Sequence, residues 1–551
     1  MPLWRQKKIP LSSGAIHLYA KQLNIHPFVI QYLSQEGYTT MSSMYHHLYP
    51  STNTFHDPFL LQDMKKSVFR ILKAIKNKET ILIFGDYDVD GITSTSLMVK
   101  ALRHFGADPY YKIPLREEGY GISAASIERI KEEWNPSLII TVDNGSSSHE
   151  AMKRAKDYGI DVIVTDHHEI LEGNPDAYSF INPKRKDNSY PHDHLSGVGV
   201  AFKLVQAMYE TLGLHWKHHM GRYIELVAVG TVADLVPLLD ENRTLVQLGL
   251  ERLNKKPSLF FSALMKRIQT HHVTSTVLAF NIAPILNSSG RISDPNECVS
   301  LITSSELKLE AIDHLLQLNK IRKEMTKEQT ELAIRIIDEQ QLLHYDVLLV
   351  QGDFHDGIIG IIASRIAEKY SKPAIIMDRN GKASCRSIPN SDVSIIEIIE
   401  SGKDWLTKYG GHPAAAGLSV SPEHVNAFRE VVQSYQIPKH IMEGVVEYHH
   451  VLPVQELCSD LLDDLVLLEP FGMNNPAPLF LTSEVKLNGV ERFGKNEEFM
   501  KCSLGTHRAL CFRPPETISN TADCLYKLNG NNELLLEFIR PASKKALADV
   551  I

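Results

Sequence analysis

The chain has 551 residues, of which 43% are hydrophobic and 23% are charged, and its length predicts three or four domains at about 150 residues per domain. This composition excludes a disordered, collagenous or coiled-coil protein. The net charge is −8, so any binding of nucleic acid must depend on local basic patches and not on bulk charge. The six cysteines form no Cys-x-x-Cys pair, which favours free thiols in a reducing compartment over a disulfide framework.

No segment of the sequence predicts targeting or membrane insertion. The first residues carry charge without an apolar stretch behind them, so we expect no signal peptide. No apolar run approaches the length of about 18 residues that a membrane-spanning helix needs. The protein is therefore expected to be cytoplasmic and to have no membrane partner.

The first part of the chain changes from a mixed pattern to a regular alternation. Residues 1–60 predict a small N-terminal helical cap. Apolar runs at 81–84, 138–142 and 162–164 then alternate with helical stretches. Continuous apolar strands that alternate with helices are typical of a doubly wound parallel sheet of the α/β class. We expect this domain to span residues 61–300.

The rest of the chain predicts a connector, a second α/β domain and a barrel. Residues 301–345 contain neither Gly nor Pro and have apolar residues at helical spacing, which predicts a long connecting helix. An apolar strand opens a second α/β domain at 346–435, and Asn380-Gly381 predicts a hairpin turn within it. Short alternating segments with turn signals over 440–551 indicate a small β-barrel.

Carboxylates follow each of the three early strands. They are Asp86, Asp88 and Asp90 after the first strand, Asp143 after the second, and Asp166 with His167 and His168 after the third. Because ligands bind beyond the carboxyl ends of parallel strands, we expect these side chains to converge in one crevice. An Asp/His set without Cys suits Mn²⁺ or Mg²⁺ better than structural zinc. The pattern therefore predicts a two-metal site, which suits the displacement of a phosphoester.

Two simpler explanations of these acids fit the sequence less well. A single Asp at a strand end is usually a helix cap, but acids at three strand ends together disfavour that explanation. The segment 86–91 also begins like a calcium loop, yet the Glu that closes such a loop is missing. Asp234 is a further candidate ligand. The histidine groups at 215–219 and 271–272 are expected to be surface or core residues without a catalytic role.

The ordered motifs of the chain resemble the DHH phosphoesterase superfamily and, within it, the RecJ family of bacterial single-strand-specific exonucleases. The segments that carry the resemblance are 85–91, 118–121, 141–145, 166–168, 195–203, 230–234, 287–291, 357–365, 410–417 and 469–476. The resemblance implies a DHH catalytic domain, a DHH-associated domain and an OB-fold in the three predicted domains. It also implies a hydrolase of DNA repair and recombination that uses two Mn²⁺ or Mg²⁺ ions and releases 5′-mononucleotides from the 5′ end of single-stranded DNA.

The resemblance further implies roles for individual residues. The implied metal ligands are Asp86, Asp88, Asp90, Asp143, His167 and Asp234. The implied catalytic groups are Asp143, which would bridge the metals, and His168 and Arg291, which would offset charge on the scissile phosphate. The implied substrate-binding groups are Arg116, Asn287, Arg291, Ser384, Arg386 and His412, the last three in a pocket for a 5′ phosphate.

The barrel is expected to bind the trailing strand through aromatic and basic side chains. The candidates are Phe471, Arg492, Phe493, Lys495, Lys501, Arg508 and Arg513. The expected partners are single-stranded DNA, a helicase and a single-strand-binding protein, and the expected oligomeric state is a monomer.

The chain departs from the family pattern at residues 383–387. Ala383 and Cys385 replace two glycines of a phosphate-binding loop, so we expect the approach of a phosphate there to be looser or altered. The segment that contains Arg116 is one residue shorter than in the family, and Asn474 replaces a glycine. None of these departures affects the implied metal ligands.

Two alternative functions remain open at this point. One is a DHH phosphodiesterase that acts on short oligonucleotides or cyclic dinucleotides. The other is a non-catalytic scaffold that binds single-stranded DNA. The long connector and the barrel disfavour the first alternative, and the complete set of implied metal ligands disfavours the second.

Overall fold

The structure, a computed structural model, describes residues 3–389, 391–438, 445–494, 497–529 and 533–542. The described residues fall into two compact units. The larger unit comprises 50–438 and 472–474, and the smaller one comprises the described parts of 1–49, 439–471 and 475–551. No helix within the described ranges has the length and apolar character needed to cross a membrane.

Helices and strands alternate along most of the chain. The α-helices of the described residues are α1 (Ser13–Leu23), α2 (Pro27–Gln35), α3 (Met41–Leu48), α4 (Met64–Asn77), α5 (Val89–His104), α6 (Ala124–Glu133), α7 (His149–Asp157), α8 (Gly197–Thr211), α9 (Trp216–His219), α10 (Ile224–Ala233), α11 (Asp240–Lys255), α12 (Leu259–Arg267), α13 (Ser275–Val277), α14 (Ala283–Ile292), α15 (Asn296–Thr303), α16 (Leu309–Glu339), α17 (Ile359–Tyr370), α18 (Ile395–Glu400), α19 (Val425–Gln433) and α20 (Ser459–Leu465). The strands are β1 (Leu3–Gln6), β2 (Ile81–Phe84), β3 (Tyr110–Lys112), β4 (Leu138–Val142), β5 (Asp161–Thr165), β6 (Ser179–Ile181), β7 (Leu348–Gln351), β8 (Ala374–Met377), β9 (Lys382–Arg386), β10 (Leu406–Gly411), β11 (Ala415–Val420), β12 (Val445–Tyr448), β13 (His450–Val451), β14 (Phe480–Phe493), β15 (Phe499–Leu504), β16 (His507–Cys511), β17 (Thr521–Asn529) and β18 (Glu533–Pro541).

A parallel sheet forms the first half of the larger unit. Its described strands lie in the order β3-β2-β4-β5-β6, and all four pairings are parallel. Ile83 packs on one face with α4, α5 and α8, whereas Leu82 and Phe84 pack on the other with α6 and α7. Because both faces are covered, the strands are continuously apolar and not alternating. The predicted doubly wound α/β fold is confirmed.

A mixed sheet forms the second half of the larger unit. The 31-residue helix α16 precedes it, as the absence of Gly and Pro predicts. The described strands lie in the order β10-β11-β9-β8-β7, with β7 and β8 parallel and the remaining pairs antiparallel. The predicted hairpin turn joins β8 to β9, where the N–H of Gly381 donates to the carbonyl of Asp378 and Gly381 has a φ of +85°.

The segment 383–387 is not the loop that the sequence suggested, because residues 382–386 form strand β9. Side chains alternate across a strand, and here Ala383 and Cys385 are buried while Ser384 and Arg386 are partly accessible on the opposite face. The two residues that replace glycines therefore point into the core. Ser384 and Arg386 keep a common face in spite of these replacements.

The smaller unit contains the predicted barrel. Strands β14, β15, β16, β18 and β17 pair in that order, and a further pairing of β17 with β14 closes the sheet. Helices α1 and α2 share the core of this barrel, and the rings of Phe28 and Phe480 lie 5.0 Å apart. Strand β1 pairs with β12 in parallel. The sequence pattern gave no sign of this association, because the contacting residues are more than 400 positions apart.

Candidate metal centre and phosphate site

The parallel sheet brings the predicted acids to one edge. Asp86 follows β2, Asp143 follows β4 and His167 follows β5. Asp88 caps the N-terminus of α5, where its Oδ1 accepts from the N–H of Gly91 at 3.0 Å. Asp90 lies in the first turn of α5. Asp234 is at the C-terminal end of α10, which packs against α5.

These side chains form overlapping groups with ligand atoms within 4.8 Å of one another. The groups are Asp86, Asp88 and Asp143; Asp90, His167 and Asp234; and Asp143, His167 and His168. His167 Nε2 lies 3.1 Å from Asp143 Oδ1, 3.5 Å from Asp234 Oδ2 and 3.9 Å from Asp90 Oδ2. Asp143 and His167 thus link the groups, and we name the five aspartates together with His167 the acidic cluster.

Three ligand atoms of the acidic cluster are suited to binding a divalent cation. Asp86 Oδ1, Asp143 Oδ1 and His167 Nε2 are buried, and none has a hydrogen-bond partner among the described residues. Burial keeps the ring of His167 neutral, so one of its ring nitrogens has a lone pair that can face the carboxylates. Buried lone pairs that face one another are unfavourable without a cation between them, and this donor set suits Mn²⁺ or Mg²⁺.

The electrostatics of the acidic cluster lead to the same conclusion. Burial, together with the charge of Asp88, raises the pKa of Asp90 to about 7. Burial and neighbouring carboxylates also raise the pKa values of Asp86, Asp143 and Asp234 well above the usual range. Burial and the charge of His168 lower the pKa of His167 to about 3, which keeps its ring neutral. The protein has therefore concentrated acceptor groups that a cation would stabilise.

The N-terminus of α8 holds Asp90 in place. The backbone N–H groups of Gly197 and Val198 donate to its two carboxylate oxygens at 2.6 and 2.8 Å, an arrangement that the helix dipole also favours. Gly197 has a second role, since a Cβ at this position would lie 2.4 Å from Asp143 Oδ1. The glycine therefore allows α8 to approach two carboxylates of the acidic cluster closely.

His168 is oriented as a cation. Its Nδ1 lies 2.7 Å from Asp166 Oδ1, and the N–H of Ser146 donates to Asp166 Oδ2 at 2.8 Å. Burial opposes the charge on His168, but Asp166 outweighs this effect and raises the pKa of His168 to about 9. The hydroxyl of Tyr120 lies 3.1 Å from His168 Nε2. Asp166 was expected in the crevice without an assigned role, and Tyr120 was not predicted, although both lie in the motifs that carry the resemblance.

An arginine cluster lies next to these acids. Burial and the charges of Arg116 and Arg322 lower the pKa of Arg291 to about 10, and Arg386 contributes in the same direction. Arg291 Nη1 donates to the carbonyl of Gly357 at 2.8 Å, while Arg116 lies 4.2 Å from the ring centre of Tyr87. The predicted Arg116 and Arg386 are thus close enough to Arg291 for their charges to affect its pKa. Arg322, on α16, has no motif around it and was missed by the sequence analysis.

The remaining predicted substrate-binding residues lie on α14 and in the mixed sheet. Asn287 is one helical turn before Arg291, and its buried Oδ1 has no hydrogen-bond partner within the described ranges. Arg386 Nη1 donates to Ser384 Oγ at 3.1 Å. A Cβ on Gly360 would lie 3.1 Å from that same Oγ, so the glycine keeps the space beside it open. His412 is exposed in the turn between β10 and β11.

The predicted DNA-binding residues of the barrel have different surroundings. Phe471 packs against the core, Arg492 donates to the backbone carbonyls of Pro515 and Glu516, and Lys501 pairs with Glu491 at 3.0 Å. Phe493, Arg508 and Arg513 are exposed, and Lys495 lies outside the described residues. The ring of Phe499 is 5.5 Å from Phe493 and 5.7 Å from the exposed Phe512. Phe499 and Phe512 were not predicted.

Family models match three parts of the chain. The N-terminal domain of the DHH family matches residues 80–231, the DHHA1 domain matches 339–436, and the RecJ OB domain matches 448–532. These ranges coincide with the parallel sheet and its helices, the mixed sheet, and the barrel. Three predicted site residues, Asp234, Asn287 and Arg291, lie between the DHH and DHHA1 ranges.

Known proteins are similar along most of the chain. The single-stranded-DNA-specific exonuclease RecJ of Bacillus subtilis is 35% identical over 88% of this chain, and the chain spans 62% of that relative's length. RecJ of Haemophilus influenzae is 33% identical over 88% of this chain and 92% of its own length. The structure of Thermus thermophilus RecJ in complex with Mn²⁺ matches with a TM-score of 0.83 at 26% identity, and the match covers 98% of this chain and 80% of that one. The structure of the same protein in complex with Mg²⁺ matches with a TM-score of 0.76 at 25% identity, and the match covers 98% of this chain and 79% of that one. The chain belongs to the RecJ family of single-stranded-DNA-specific exonucleases.

Proposed function

We propose that this chain is a divalent-cation-dependent exonuclease that removes 5′-mononucleotides from the 5′ end of single-stranded DNA. The observation that carries the proposal is the buried acidic cluster, with three ligand atoms left unpartnered, next to an arginine cluster. The acids suit two cations, and the arginines suit the phosphates of a bound strand. Similarity to RecJ along most of the chain supports the same activity.

The acidic cluster would hold the cations. Asp86, Asp88 and Asp143 would ligate one ion and Asp90, His167 and Asp234 the other, as their spatial groups suggest. Asp143 would bridge the two, since it also belongs to the group with His167. Two bound Mn²⁺ or Mg²⁺ ions supply an activated water and offset charge on the leaving oxygen.

His168 and Arg291 would stabilise the phosphate during the reaction. The protonated His168 would donate from Nε2 to a non-bridging oxygen, while Asp166 holds the ring through Nδ1. Arg291 lies close enough to the acidic cluster for Asp88 to influence its pKa, and its planar guanidinium can bind two phosphate oxygens at once. Arg291 carries its positive charge before the reaction begins, so it does not have to reorganise as charge develops.

Ser384 and Arg386 would bind the 5′-terminal phosphate, with Arg116, Asn287 and His412 as further contacts. Of these residues Arg386 lines a cavity of about 480 Å³, together with Ser364, Ser387 and Pro413 and with the acids Glu368 and Asp392. Burial lowers the pKa of Arg386, which means that its charge is poorly solvated and would be stabilised by a phosphate. Recognition of a terminal phosphate beside the cleavage site explains why degradation would begin at a 5′ end.

The barrel would bind the trailing strand through Phe493, Phe499 and Phe512, with Arg508 and Arg513 as basic contacts. Because the substrate is single-stranded, a duplex must first be opened, so we propose that a helicase and a single-strand-binding protein work with this chain. We also propose that the chain acts as a monomer. Light scattering after size-exclusion chromatography tests the monomer, and digestion of a duplex with and without a helicase tests the need for unwinding.

Digestion of end-labelled single-stranded DNA with Mn²⁺ tests the function. We expect the 5′-labelled strand to release labelled mononucleotide from the first time point, while the 3′ label stays in shortening strands. Asp143→Ala should lower the rate by about a thousandfold or more, because it removes the ligand shared by both groups. Glu150→Gln, which changes an exposed carboxylate on α7, is the matched control and should retain the rate.

The outcomes separate the alternatives. Hydrolysis of cyclic dinucleotides but not of a 30-mer would contradict the exonuclease and favour a phosphodiesterase of small substrates. Binding of DNA without release of either label would favour the non-catalytic scaffold. Substantial activity in Asp143→Ala would show that the proposed ligand set is wrong.

A further inference from the structure

A second group of cationic side chains surrounds a cavity far from the acidic cluster. The cavity has a volume of about 380 Å³ and is lined by α5, by the segment 218–223 and by the start of α10, together with Arg252 and Ser258. Lys100 lies on α5 ten residues after Asp90, which places it about 15 Å further along the helix axis. The cavity is therefore separate from the site that holds the acids.

Three cations converge on this cavity. They are Lys100, Arg222 and Arg252, and Lys100 and Arg222 have neither a hydrogen-bond nor an ion-pair partner in the part of the chain that the structure describes. Arg252 Nε is buried without a hydrogen-bond partner and lies 3.7 Å from a carboxylate oxygen of Glu225. Burial and the charges of Arg222 and Arg252 lower the pKa of Lys100, although Glu225 opposes the shift. Among the residues that line the cavity, a single carboxylate therefore offsets the positive charge of three cationic side chains.

One carboxylate faces the three cations. Glu225 is buried and accepts from the backbone N–H of Ser258 at 2.9 Å, so part of its hydrogen-bonding capacity is already used. Three positive side chains and one carboxylate leave a net charge of about +2 in the cavity. A phosphate monoester close to neutral pH carries a charge of about −1.5 to −2, which complements this value.

We infer that the cavity lined by Lys100, Arg222, Arg252 and Glu225 binds a phosphate monoester of the size of a mononucleotide. Lys100 and the two guanidinium groups bind the phosphate oxygens, as cationic donors do in other phosphate sites. The remaining acceptor capacity of Glu225 is available for hydroxyl or N–H groups of the attached residue. The volume of the cavity exceeds that of an orthophosphate ion, which leaves room for such a residue.

Calorimetric titration with thymidine 5′-monophosphate and with orthophosphate, each without added metal, tests the inference. Arg386→Gln serves as the starting protein, because it weakens the proposed 5′-phosphate site and exposes any second site. In that background we expect Arg222→Gln and Lys100→Gln each to weaken nucleotide binding by about tenfold or more. Arg103→Gln, which changes an exposed arginine of α5 outside the cavity, is the matched control and should bind as the starting protein does.

Arg222 is exposed, so its substitution tests the cavity even if Lys100→Gln fails to fold. Identical binding by the Arg222→Gln protein and the Arg103→Gln control would overturn the inference. Binding of orthophosphate without binding of the nucleotide would overturn the assignment to a monoester of this size. Weaker binding of both ligands in Arg222→Gln, with the nucleotide the tighter of the two, would support it.

Discussion

The parallel sheet and the mixed sheet of the larger unit present their functional groups in opposite ways. The parallel sheet places acids at the ends of its strands, where Asp86 and Asp143 are buried and leave oxygens without partners. The mixed sheet presents Ser384 and Arg386 from within strand β9, on the face opposite its core. One region has acids whose charge cations would offset, whereas the other has Arg386, which we propose binds an anion.

This difference also determines how much each region tolerates substitution. Beside the strand-end carboxylates, Gly197 at the N-terminus of α8 leaves no space for a side chain. In β9 the residues at 383 and 385 can change, because alternation directs them into the core while Ser384 and Arg386 stay on their own face. Three substitutions and the pH dependence of stabilisation by Mn²⁺ test this contrast, and the expected effects decrease from Gly197→Ala to Cys385→Gly.

Gly197→Ala should reduce activity most among these changes. The added methyl group would lie 2.4 Å from Asp143 Oδ1, so either α8 or the carboxylate must move, and a displacement of about 1 Å at a reacting centre can cost about a hundredfold in rate. Gly199→Ala, on the same helix, is the matched control, since its nearest contact would be Ser196 Oγ at 3.3 Å. Steady-state digestion of single-stranded DNA measures both variants. Equal rates would contradict the close approach of α8 to the acids.

Arg386→Gln should abolish the preference for a 5′ phosphate. Loss of a charged hydrogen bond to the phosphate should raise KM for a 5′-phosphorylated strand by about 10- to 100-fold and change KM for a 5′-hydroxyl strand little. Comparison of kcat and KM on the two strands measures this effect. An equal loss on both strands would assign Arg386 a structural role.

The stabilisation by Mn²⁺ should grow as the pH rises. In the metal-free protein the raised pKa values of Asp90, Asp86 and Asp143 mean that the folded state holds more protons than the unfolded state between about pH 4 and pH 7. These groups therefore lower the stability of the metal-free protein as the pH rises through that window. Cations offset the ionised carboxylates, so we expect a larger Mn²⁺-induced increase in Tm at pH 7.5 than at pH 5.5. Scanning calorimetry at both values measures it, and an increase independent of pH would contradict the account.

Cys385→Gly should have the smallest effect on activity. The thiol is fully buried on the core face of β9, so its loss should cost about 1 to 2 kcal/mol of stability through a small cavity and a more flexible backbone. KM for a 5′-phosphorylated strand should stay within about twofold of the unchanged protein. A large change in KM would mean that residue 385 influences the phosphate site directly. Urea denaturation and steady-state kinetics measure the two effects.

The sequence predicts the parallel sheet well, because three of its strands are short apolar runs that are each followed by acidic residues, a pattern visible in the local sequence. The position of the acids at one edge follows from the rule that parallel strands end together. Strand β9 was mistaken for a loop, because the short segment 383–387 has no apolar run and the resemblance suggested glycines. Arg322 and the packing of α1 and α2 on the barrel depend on contacts between distant residues, which no local pattern records.

The number of Mn²⁺ ions bound per chain is the measurement that bears most closely on the proposed two-metal site. The protein is first stripped of metal with a chelator and is then titrated with Mn²⁺ at pH 7.5, with free Mn²⁺ followed by electron paramagnetic resonance. The account predicts two ions per chain for the unchanged protein and at least one fewer for Asp143→Ala, with the Glu150→Gln control unchanged. Two ions bound to Asp143→Ala with unchanged affinity, or none bound to the unchanged protein, would contradict it.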